Sequence, residues 1–183
     1  MRILVGGGVR CGKSGFALAR AKALGARRVY VATAEALDVE MRVRIERHQR
    51  ERGADFRTVE APRDLVEKLG AIADADVVVI DCLTLWLSNL LLRGDEEASI
   101  LGQVDRLAAL QREKPWHSII VTNEVGMGVV PDSAMGRAFR DLSGRAHQAL
   151  SAAADELYFG AMGTMLRLRP GPLAALTPTE AAR

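Results

Sequence analysis

A glycine-rich segment near the amino terminus has the residue types and spacing that hold phosphate groups. Glycines let backbone N–H groups point at phosphate oxygens, and the start of a following helix adds partial positive charge. We expect Lys13 to neutralise the β and γ phosphates of a nucleotide and Ser14 to bind Mg²⁺. The alternative, a glycine-rich turn without a ligand, is disfavoured by the strand and helix predicted on either side. The segment fits G-x-x-x-x-G-K-[ST], and its residues are Gly7, Gly8, Val9, Arg10, Cys11, Gly12, Lys13 and Ser14.

A carboxylate further along the chain is suited to complete a magnesium site. Asp81 ends the apolar run Val77–Ile80, and a carboxylate at that point resembles the second acidic element of nucleoside triphosphatases. An aspartate at a strand end is also common as a backbone cap, so the residue alone leaves both interpretations open. Because the chain also has a phosphate loop, we favour a role for Asp81 in binding the metal. These residues predict an enzyme that binds a magnesium–nucleotide complex and nothing finer.

His48 lies on a predicted helix that is rich in arginine and that Asp38 could cap. At helical spacing it shares one face with Met41 and Ile45 and another with Arg44 and Arg52. Flanking guanidinium groups could hold phosphate oxygens and would lower the pKa of the imidazole. A neutral imidazole is a usable nucleophile. From spacing alone, however, a solvated charged helix with an incidental histidine is the simpler interpretation.

Other polar residues lie at predicted strand ends or on helices. Asn123 and Glu124 follow the fourth predicted strand, where polar groups face the ligand edge, and they could bind substrate, assist proton transfer or serve a turn. Thr33 ends the second strand, where contact with nucleotide and simple capping are both open. We expect His117 to be a strand-entry residue and His147 to be structural.

The predicted elements alternate between strand and helix, which indicates a three-layer α/β fold with a mostly parallel sheet. Val77–Ile80 and Ile119–Val121 are apolar at every position, as are parallel strands buried on both faces. We predict strands over Arg2–Val5, Arg28–Thr33, Val77–Asp81, Ser118–Thr122 and Glu156–Phe159, an edge strand over Thr164–Leu168, and helices over Lys13–Leu24, Val39–Arg52, Arg63–Ile72, Leu83–Leu92, Ala98–Glu113 and Ser133–Ala154. We expect Pro170–Arg183 to be poorly ordered.

Composition narrows the class of protein. The length of 183 residues predicts one domain over 1–183, with the part after about residue 160 least defined. A net charge of +2 and an aromatic share of 4% argue against a nucleic-acid partner. No uncharged apolar run reaches the roughly 18 residues of a membrane span. The start of the chain has no export signal, and Cys11 and Cys82 have no metal spacing, so we expect a cytoplasmic protein.

Taken together, these segments resemble the bifunctional enzymes of cobalamin biosynthesis called adenosylcobinamide kinase / adenosylcobinamide-phosphate guanylyltransferase. The resemblance runs from Ile3 to about Phe159, and the phosphate loop is its least selective part. Its most selective part is the stretch 122–128 with 139–145 downstream. The other segments that carry it are 3–14, 29–34, Arg44-Ile45 with His48 and Arg52, 58–62, 81–84 with Trp86, Leu87, Asn89 and Leu90, and 148–155.

The resemblance implies two reactions and a set of site residues. The family phosphorylates the aminopropanol hydroxyl of adenosylcobinamide with ATP or GTP. It then transfers GMP from GTP to that phosphate, through GMP held covalently on a histidine that matches His48. The resemblance also implies Mg²⁺, a RecA-like P-loop nucleoside triphosphatase fold and a homotrimer. The implied nucleotide contacts are Gly7–Ser14, Ala32, Thr33, Ala34, Gln49, Arg50, Glu51, Arg52, Glu60 and Asp81, and the implied metal ligands are Ser14 and Asp81.

The sequence departs from the family pattern at a few positions. Gly6 stands where the family usually has threonine and Cys11 where it usually has serine, and neither alters the backbone cradle for phosphate. Phe56 replaces a usual tryptophan. His147 replaces a usual asparagine, which leaves that position without an assigned binding role.

Two other functions stay open at this point. A small-molecule kinase that merely shares the phosphate loop would not need His48 and would form no covalent nucleotide. A regulatory module would bind nucleotide without consuming it.

Overall fold

Strands that are apolar at every position form the centre of an eight-stranded sheet, because helices cover them on both faces. The computed structural model describes residues 1–36 and 38–176, and the side chains of Arg44, Glu51 and 174–176 lie outside that description. The strands are β1 (Arg2–Gly7), β2 (Arg28–Ala32), β3 (Arg57–Glu60), β4 (Val77–Asp81), β5 (His117–Val121), β6 (Glu156–Ala161), β7 (Thr164–Arg169) and β8 (Ala174–Leu176). The helices are α1 (Lys13–Leu24), α2 (Val39–Arg52), α3 (Leu65–Gly70), α4 (Leu83–Arg93), α5 (Glu97–Glu113) and α6 (Ala134–Ala153), with a 3-10 turn over Gly53–Asp55.

The sheet is mostly parallel. Its order is β3-β2-β4-β5-β1-β6-β7-β8, and the first six strands of that order run parallel while β7 and β8 pair antiparallel. The register aligns the carboxyl ends of the central strands, since Ala32 pairs with Asp81 and Asp81 pairs with Val121. The residues that follow these strands therefore meet at one edge of the sheet.

The core lies in two layers, one on each face of the sheet. On one face, Leu83, Trp86 and Leu87 of α4 pack with the buried residues of α3, α5 and α6. On the other, Phe16 and Ala17 of α1 pack with Val5, Tyr30, Val79 and Ile119 of the sheet. This arrangement is the predicted three-layer α/β fold.

Several helix boundaries agree with the sequence predictions. α1 and α2 have the predicted bounds, and Asp38 caps α2 as expected, because its Oδ1 accepts a hydrogen bond of 2.7 Å from the backbone N–H of Met41. Ser133 caps α6 in the same way through Gly136. In the part of the chain that the model describes, no helix is long and apolar enough to cross a membrane.

Three predictions about elements were wrong in part. β3 was not predicted, because it is a short edge strand with mostly exposed, polar residues and no apolar alternation. α3 is shorter than predicted, since the chain before it is held by Trp86, whose Nε1 donates to the carbonyl oxygen of Arg63 at 3.0 Å. Part of the segment expected to be poorly ordered forms β8, which pairs with β7. Residues 177–183 of that segment lie outside the described chain.

Candidate active site

A cavity of about 590 Å³ opens at the carboxyl edge of the sheet. That volume is typical of small-molecule sites. Three parts of the chain line it: the phosphate loop and start of α1, the ends of β2, β3 and β4, and one face of α2. The sites predicted separately on the loop, the strand end and the histidine helix thus share one cavity.

The phosphate loop joins β1 to α1 and buries its lysine. Lys13 is 7% exposed, and its Nζ donates to the carbonyl oxygen of Gly8 at 2.7 Å. Among the described residues, no carboxylate pairs with Lys13, so the cavity contains a buried cation that an anion would stabilise. Gly12 has a φ of +94°, which favours glycine, and a Cβ on Gly7 would lie 2.4 Å from the carbonyl oxygen of Gly160.

The predicted loop residues divide into two groups. Arg10, Cys11, Gly12, Lys13 and Ser14 line the cavity. The other three do not. Gly7 lies against β6 and Gly8 gives its carbonyl to Lys13, while the side chain of Val9 is 73% exposed to solvent.

Asp81 lies at the end of β4 and lines the same cavity as Ser14. Its Oδ2 accepts a hydrogen bond of 2.9 Å from the hydroxyl of Tyr30. Burial, followed by the nearby Asp81 charge, raises the pKa of Tyr30, so the phenol stays a donor. A carboxylate and a hydroxyl are the oxygen ligands that Mg²⁺ prefers, so these two residues could hold that ion together with nucleotide phosphates.

One face of α2 lines the cavity, whereas its spacing alone had favoured a solvated helix. Met41, Ile45 and His48 lie on this face, with Gln49 and Arg52 beside them. The side chain of Arg44, expected to flank His48, lies outside the described residues, as does that of Glu51. Arg50 was also expected at the site, but it is exposed and its Nε donates back to the carbonyl oxygen of Glu46 at 3.4 Å.

Arg52 is a buried cation without a carboxylate partner among the described residues. It is 6% exposed, and its guanidinium carbon lies 3.9 Å from the centre of the Tyr30 ring. Its Nη2 donates to the hydroxyl of Thr58 at 3.3 Å. A buried guanidinium held only by a ring and a hydroxyl is suited to bind an anion.

The end of β2 is placed differently from the expectation in one respect. Ala32, Ala34 and, from β3, Glu60 line the cavity. The side chain of Thr33 does not. It is fully buried, and its hydroxyl donates to the carbonyl oxygen of Cys82 at 2.8 Å and accepts from the Cys82 N–H at 2.7 Å. Thr33 therefore ties the end of β2 to the end of β4.

The comparison with family models decides which family this is. The model described as "Cobinamide kinase / cobinamide phosphate guanyltransferase" matches residues 3–168. The chain belongs to this family. The match includes every predicted site residue, from Gly7 to Asp81.

Three curated relatives align with this chain over the whole of their own length. The chain is 38% identical to "Bifunctional adenosylcobalamin biosynthesis protein CobU" of Escherichia coli strain K12, over 92% of this chain and all of the relative. It is 40% identical to "Bifunctional adenosylcobalamin biosynthesis protein CobP" of Pseudomonas aeruginosa, over 94% of this chain and all of the relative. It is 37% identical to the CobU protein of Salmonella typhimurium, again over 92% of this chain and all of the relative.

A solved structure supports the fold class. The crystal structure of the RadB recombinase superposes with a TM-score of 0.53 at 15% identity, covering 98% of this chain and 88% of that chain. At that identity the likeness concerns the fold alone. It agrees with the RecA-like P-loop fold that the resemblance to the family implied.

The polar residues after β5 have separate environments. Asn123 lines the cavity, and its side-chain amide lies 3.1 Å from the hydroxyl of Thr84. Glu124 does not line it, since one carboxylate oxygen accepts from the N–H of Gly126 at 2.5 Å and the other lies 3.6 Å from Nδ1 of His147. His147 also bonds the hydroxyl of Thr122 at 2.8 Å, and burial lowers its pKa.

His117 lies away from the cavity. It is the first residue of β5, as predicted, and its Nδ1 lies 3.0 Å from the amino group of Met1.

Sequence reasoning missed Tyr30 and Thr58 as site residues. Tyr30 stands in a run of apolar residues, which indicates a residue of the hydrophobic core. Thr58 stands in a strand that was not predicted. The pairing of β2 with β3 and β4 puts Tyr30 next to Asp81, and it puts both Tyr30 and Thr58 next to Arg52.

Proposed function

We propose that this chain is a bifunctional enzyme of cobinamide activation. It phosphorylates the aminopropanol hydroxyl of adenosylcobinamide with ATP or GTP. It then transfers GMP from GTP to the new phosphate, which gives adenosyl-GDP-cobinamide and pyrophosphate. The observation that carries this proposal is that His48 and the phosphate-loop lysine, Lys13, line one cavity in a chain that belongs to this family.

The first step requires mainly positioning and neutralisation of charge. Lys13 offers a buried ammonium for the terminal phosphates, and the loop residues Gly12 and Ser14 line the same cavity, where backbone N–H groups can donate to phosphate oxygens. The acceptor hydroxyl attacks the γ-phosphorus and loses its proton to water, the bond to the bridging oxygen breaks, and the nucleoside diphosphate leaves. Asn123, at the end of β5, is placed to orient the acceptor. We assign no general base, because both carboxylate oxygens of Glu124 are engaged outside the cavity.

The second transfer is proposed to pass through His48. A ring nitrogen attacks the α-phosphorus of GTP, and the bond to the β-phosphate oxygen breaks, releasing pyrophosphate. A phosphate oxygen of adenosylcobinamide phosphate then attacks the same phosphorus and frees the histidine. Each half is an in-line displacement by a good nucleophile. Arg52, one helical turn from His48, would offset negative charge during both halves.

Mg²⁺ is proposed to bind at Ser14 and Asp81. The donor set fits, because Mg²⁺ is typically held by one or two protein oxygens together with phosphates rather than by a full protein cage. Consistent with that, no group of three or more His, Cys, Asp or Glu side chains in the described residues is arranged to hold a metal. When bound, the ion would neutralise charge on the triphosphate and make the phosphorus easier to attack.

Glu60 is proposed to select guanine. Its carboxylate lines the cavity and has no ion pair or hydrogen bond among the described residues. A carboxylate can accept from the adjacent N1–H and amino group of guanine, whereas adenine offers no such pair of donors. The GTP used for the second step would be recognised in this way.

The remaining features of the proposal concern the setting of the enzyme. Residues 1–183 act as one catalytic domain. The homotrimer is supported by the resemblance to the family, and light scattering after size exclusion tests the assembly. The cytoplasmic location stays a prediction. The proposed partners are adenosylcobinamide, its phosphate and nucleoside triphosphates.

Labelled GTP tests the proposed function. The protein is incubated with α-labelled GTP and Mg²⁺, denatured, and examined for bound label that acid removes and alkali does not. Label on the wild type and none on His48→Ala supports guanylyl transfer through His48. Absence of label on both, with continued phosphorylation of cobinamide, would indicate a kinase alone. Absence of label and of nucleotide consumption would indicate a binding module.

A further inference from the structure

Tyr30 joins the two charged halves of the cavity. Its hydroxyl donates to Oδ2 of Asp81 at 2.9 Å, and the guanidinium carbon of Arg52 lies 3.9 Å from the centre of its ring. Asp81 belongs to β4, and Arg52 to the helix that carries His48. A single neutral side chain therefore contacts both an anion and a cation of the site.

The position of Tyr30 is rigidly determined. It lies within β2, paired with Val79 of β4 and Thr58 of β3, and it is 4% exposed. The ring of Phe56 meets it edge-on, with centroids 6.5 Å apart at 83°. A side chain held by two neighbouring strands and a second ring can fix the groups that it touches.

The two contacts of Tyr30 leave defined groups free for ligands. With Oδ2 of Asp81 committed to the hydroxyl, Oδ1 of that carboxylate has no hydrogen bond among the described residues. In the described part of the chain, the guanidinium of Arg52 donates to the hydroxyl of Thr58 and lies over the Tyr30 ring, so several of its N–H groups remain able to donate to a ligand.

We propose that Tyr30 is a positioning residue that orients Asp81 for the metal and holds Arg52 for the nucleotide before either ligand binds. This role rests on the proposed function, since it requires Asp81 and Arg52 to act on a magnesium–nucleotide complex. It predicts that the hydroxyl and the ring of Tyr30 have separable effects. The hydroxyl serves Asp81, and the ring serves Arg52.

The test measures binding rather than turnover. The probe is α,β-methylene GTP, in which carbon replaces the bridging oxygen, so that no GMP is transferred. Calorimetry gives its affinity without metal and the Mg²⁺ concentration that half-saturates the gain in affinity. Tyr30→Phe is expected to raise that concentration about tenfold, as loss of an outer hydrogen bond to a metal ligand typically does, and to leave the metal-free affinity within about twofold. Tyr30→Leu is expected to lower the metal-free affinity as well.

A matched control is available in the same sheet. Tyr158 is also a buried strand tyrosine, with its hydroxyl 2.8 Å from a carboxylate oxygen of Glu156 and its ring against Phe16, but it does not line the cavity. Tyr158→Phe is expected to leave both binding constants unchanged. Thermal unfolding of each variant shows that it is folded, and Tyr30→Phe retains the ring and its packing.

Two results would overturn the role of Tyr30. One is an unchanged Mg²⁺ half-saturation in Tyr30→Phe. The other is an effect of Tyr30→Phe on Mg²⁺-dependent binding that is as large in the Asp81→Asn background as in the wild type. A hydroxyl that acts through Asp81 should have no further effect once that carboxylate is removed. If the wild type itself showed no Mg²⁺-dependent binding of the probe, the proposed function would fail instead.

Discussion

The ammonium of Lys13 lies 2.7 Å from the carbonyl oxygen of Gly8, within its own loop. The lysine is 7% exposed and has no carboxylate partner among the described residues. The loop therefore holds its cation with a backbone carbonyl oxygen and, at 3.9 Å, the sulfur of Cys11, and it leaves the charge to be neutralised by a ligand. This arrangement favours nucleotide binding at some cost to the stability of the free protein.

Removal of this cation should affect ligand binding more than folding. Lys13→Ala is expected to weaken ATP and GTP binding by tenfold or more, because a hydrogen bond to a charged group contributes about 1.5–3 kcal/mol. Its thermal midpoint should not fall, since a buried charge is removed. Lys22→Ala is the control, on the same helix but paired with Asp55 at 2.6 Å. Equal nucleotide affinity in the two variants would contradict the assignment.

The choice of base should depend on Glu60. Glu60→Gln places an amide where a carboxylate is proposed to accept two donors from guanine, so the affinity for GTP should fall about tenfold while that for ATP stays the same. Equilibrium titration with both nucleotides measures this ratio. Glu67→Gln, which alters an exposed residue paired with Arg106, is expected to change neither. An equal loss for both nucleotides would show that Glu60 does not read the base.

Asn89 should stabilise the strand ends beside the cavity. Its buried side-chain amide donates to the carbonyl oxygens of Thr33 and Pro62, both at 2.8 Å. Asn89→Ala leaves two carbonyls without this donor, and the free energy of unfolding should fall by about 3 kcal/mol. Urea denaturation measures it, with Gln103→Ala on α5 expected to stay within about 0.5 kcal/mol. If the free energy of unfolding of Asn89→Ala changed as little as that of Gln103→Ala, this role of Asn89 would be contradicted.

Stability should depend on pH through His147. Burial lowers the pKa of this imidazole in the folded protein, although Glu124 acts in the opposite direction. As the pH falls below about 6.5, the imidazole of the unfolded chain is therefore protonated before that of the folded protein. The free energy of unfolding falls as a result. The contribution of His147 to the free energy of unfolding should be fully present above that pH and should decrease below it.

His147→Asn tests this slope. The variant should lose part of the decline in unfolding free energy between about pH 6.5 and 5, as measured by urea denaturation at several pH values. Some decline should remain, because burial also lowers the pKa of His117. An identical pH profile for the variant and the wild type would show that His147 does not contribute.

The sequence was sufficient where local rules decide structure. The bounds of α2 followed from Asp38 as a cap, and helical spacing placed Met41, Ile45 and His48 on one face. That this face lines the cavity did not follow from spacing alone. The buried central strands followed from runs that are apolar at every position. These features depend on neighbours in sequence.

Features that depend on strand pairing were not predictable. Thr33 looked equally suited to nucleotide or cap, and only the alignment of β2 with β4 turns its hydroxyl towards Cys82. Tyr30 read as core because nothing nearby in sequence marks it as a partner of Asp81. The edge strand β3 has too few apolar residues to signal itself, although it supplies Glu60 to the cavity.

The central claim is that His48 carries GMP, and the intact mass of the protein after incubation with GTP, Mg²⁺ and pyrophosphatase tests it most directly. We predict a gain of one guanylyl group in the wild type and in His117→Asn, with the peptide that contains residue 48 carrying the adduct, and no gain in His48→Asn. Formation of adenosyl-GDP-cobinamide by His48→Asn at the wild-type rate, or an adduct on another residue, would contradict it.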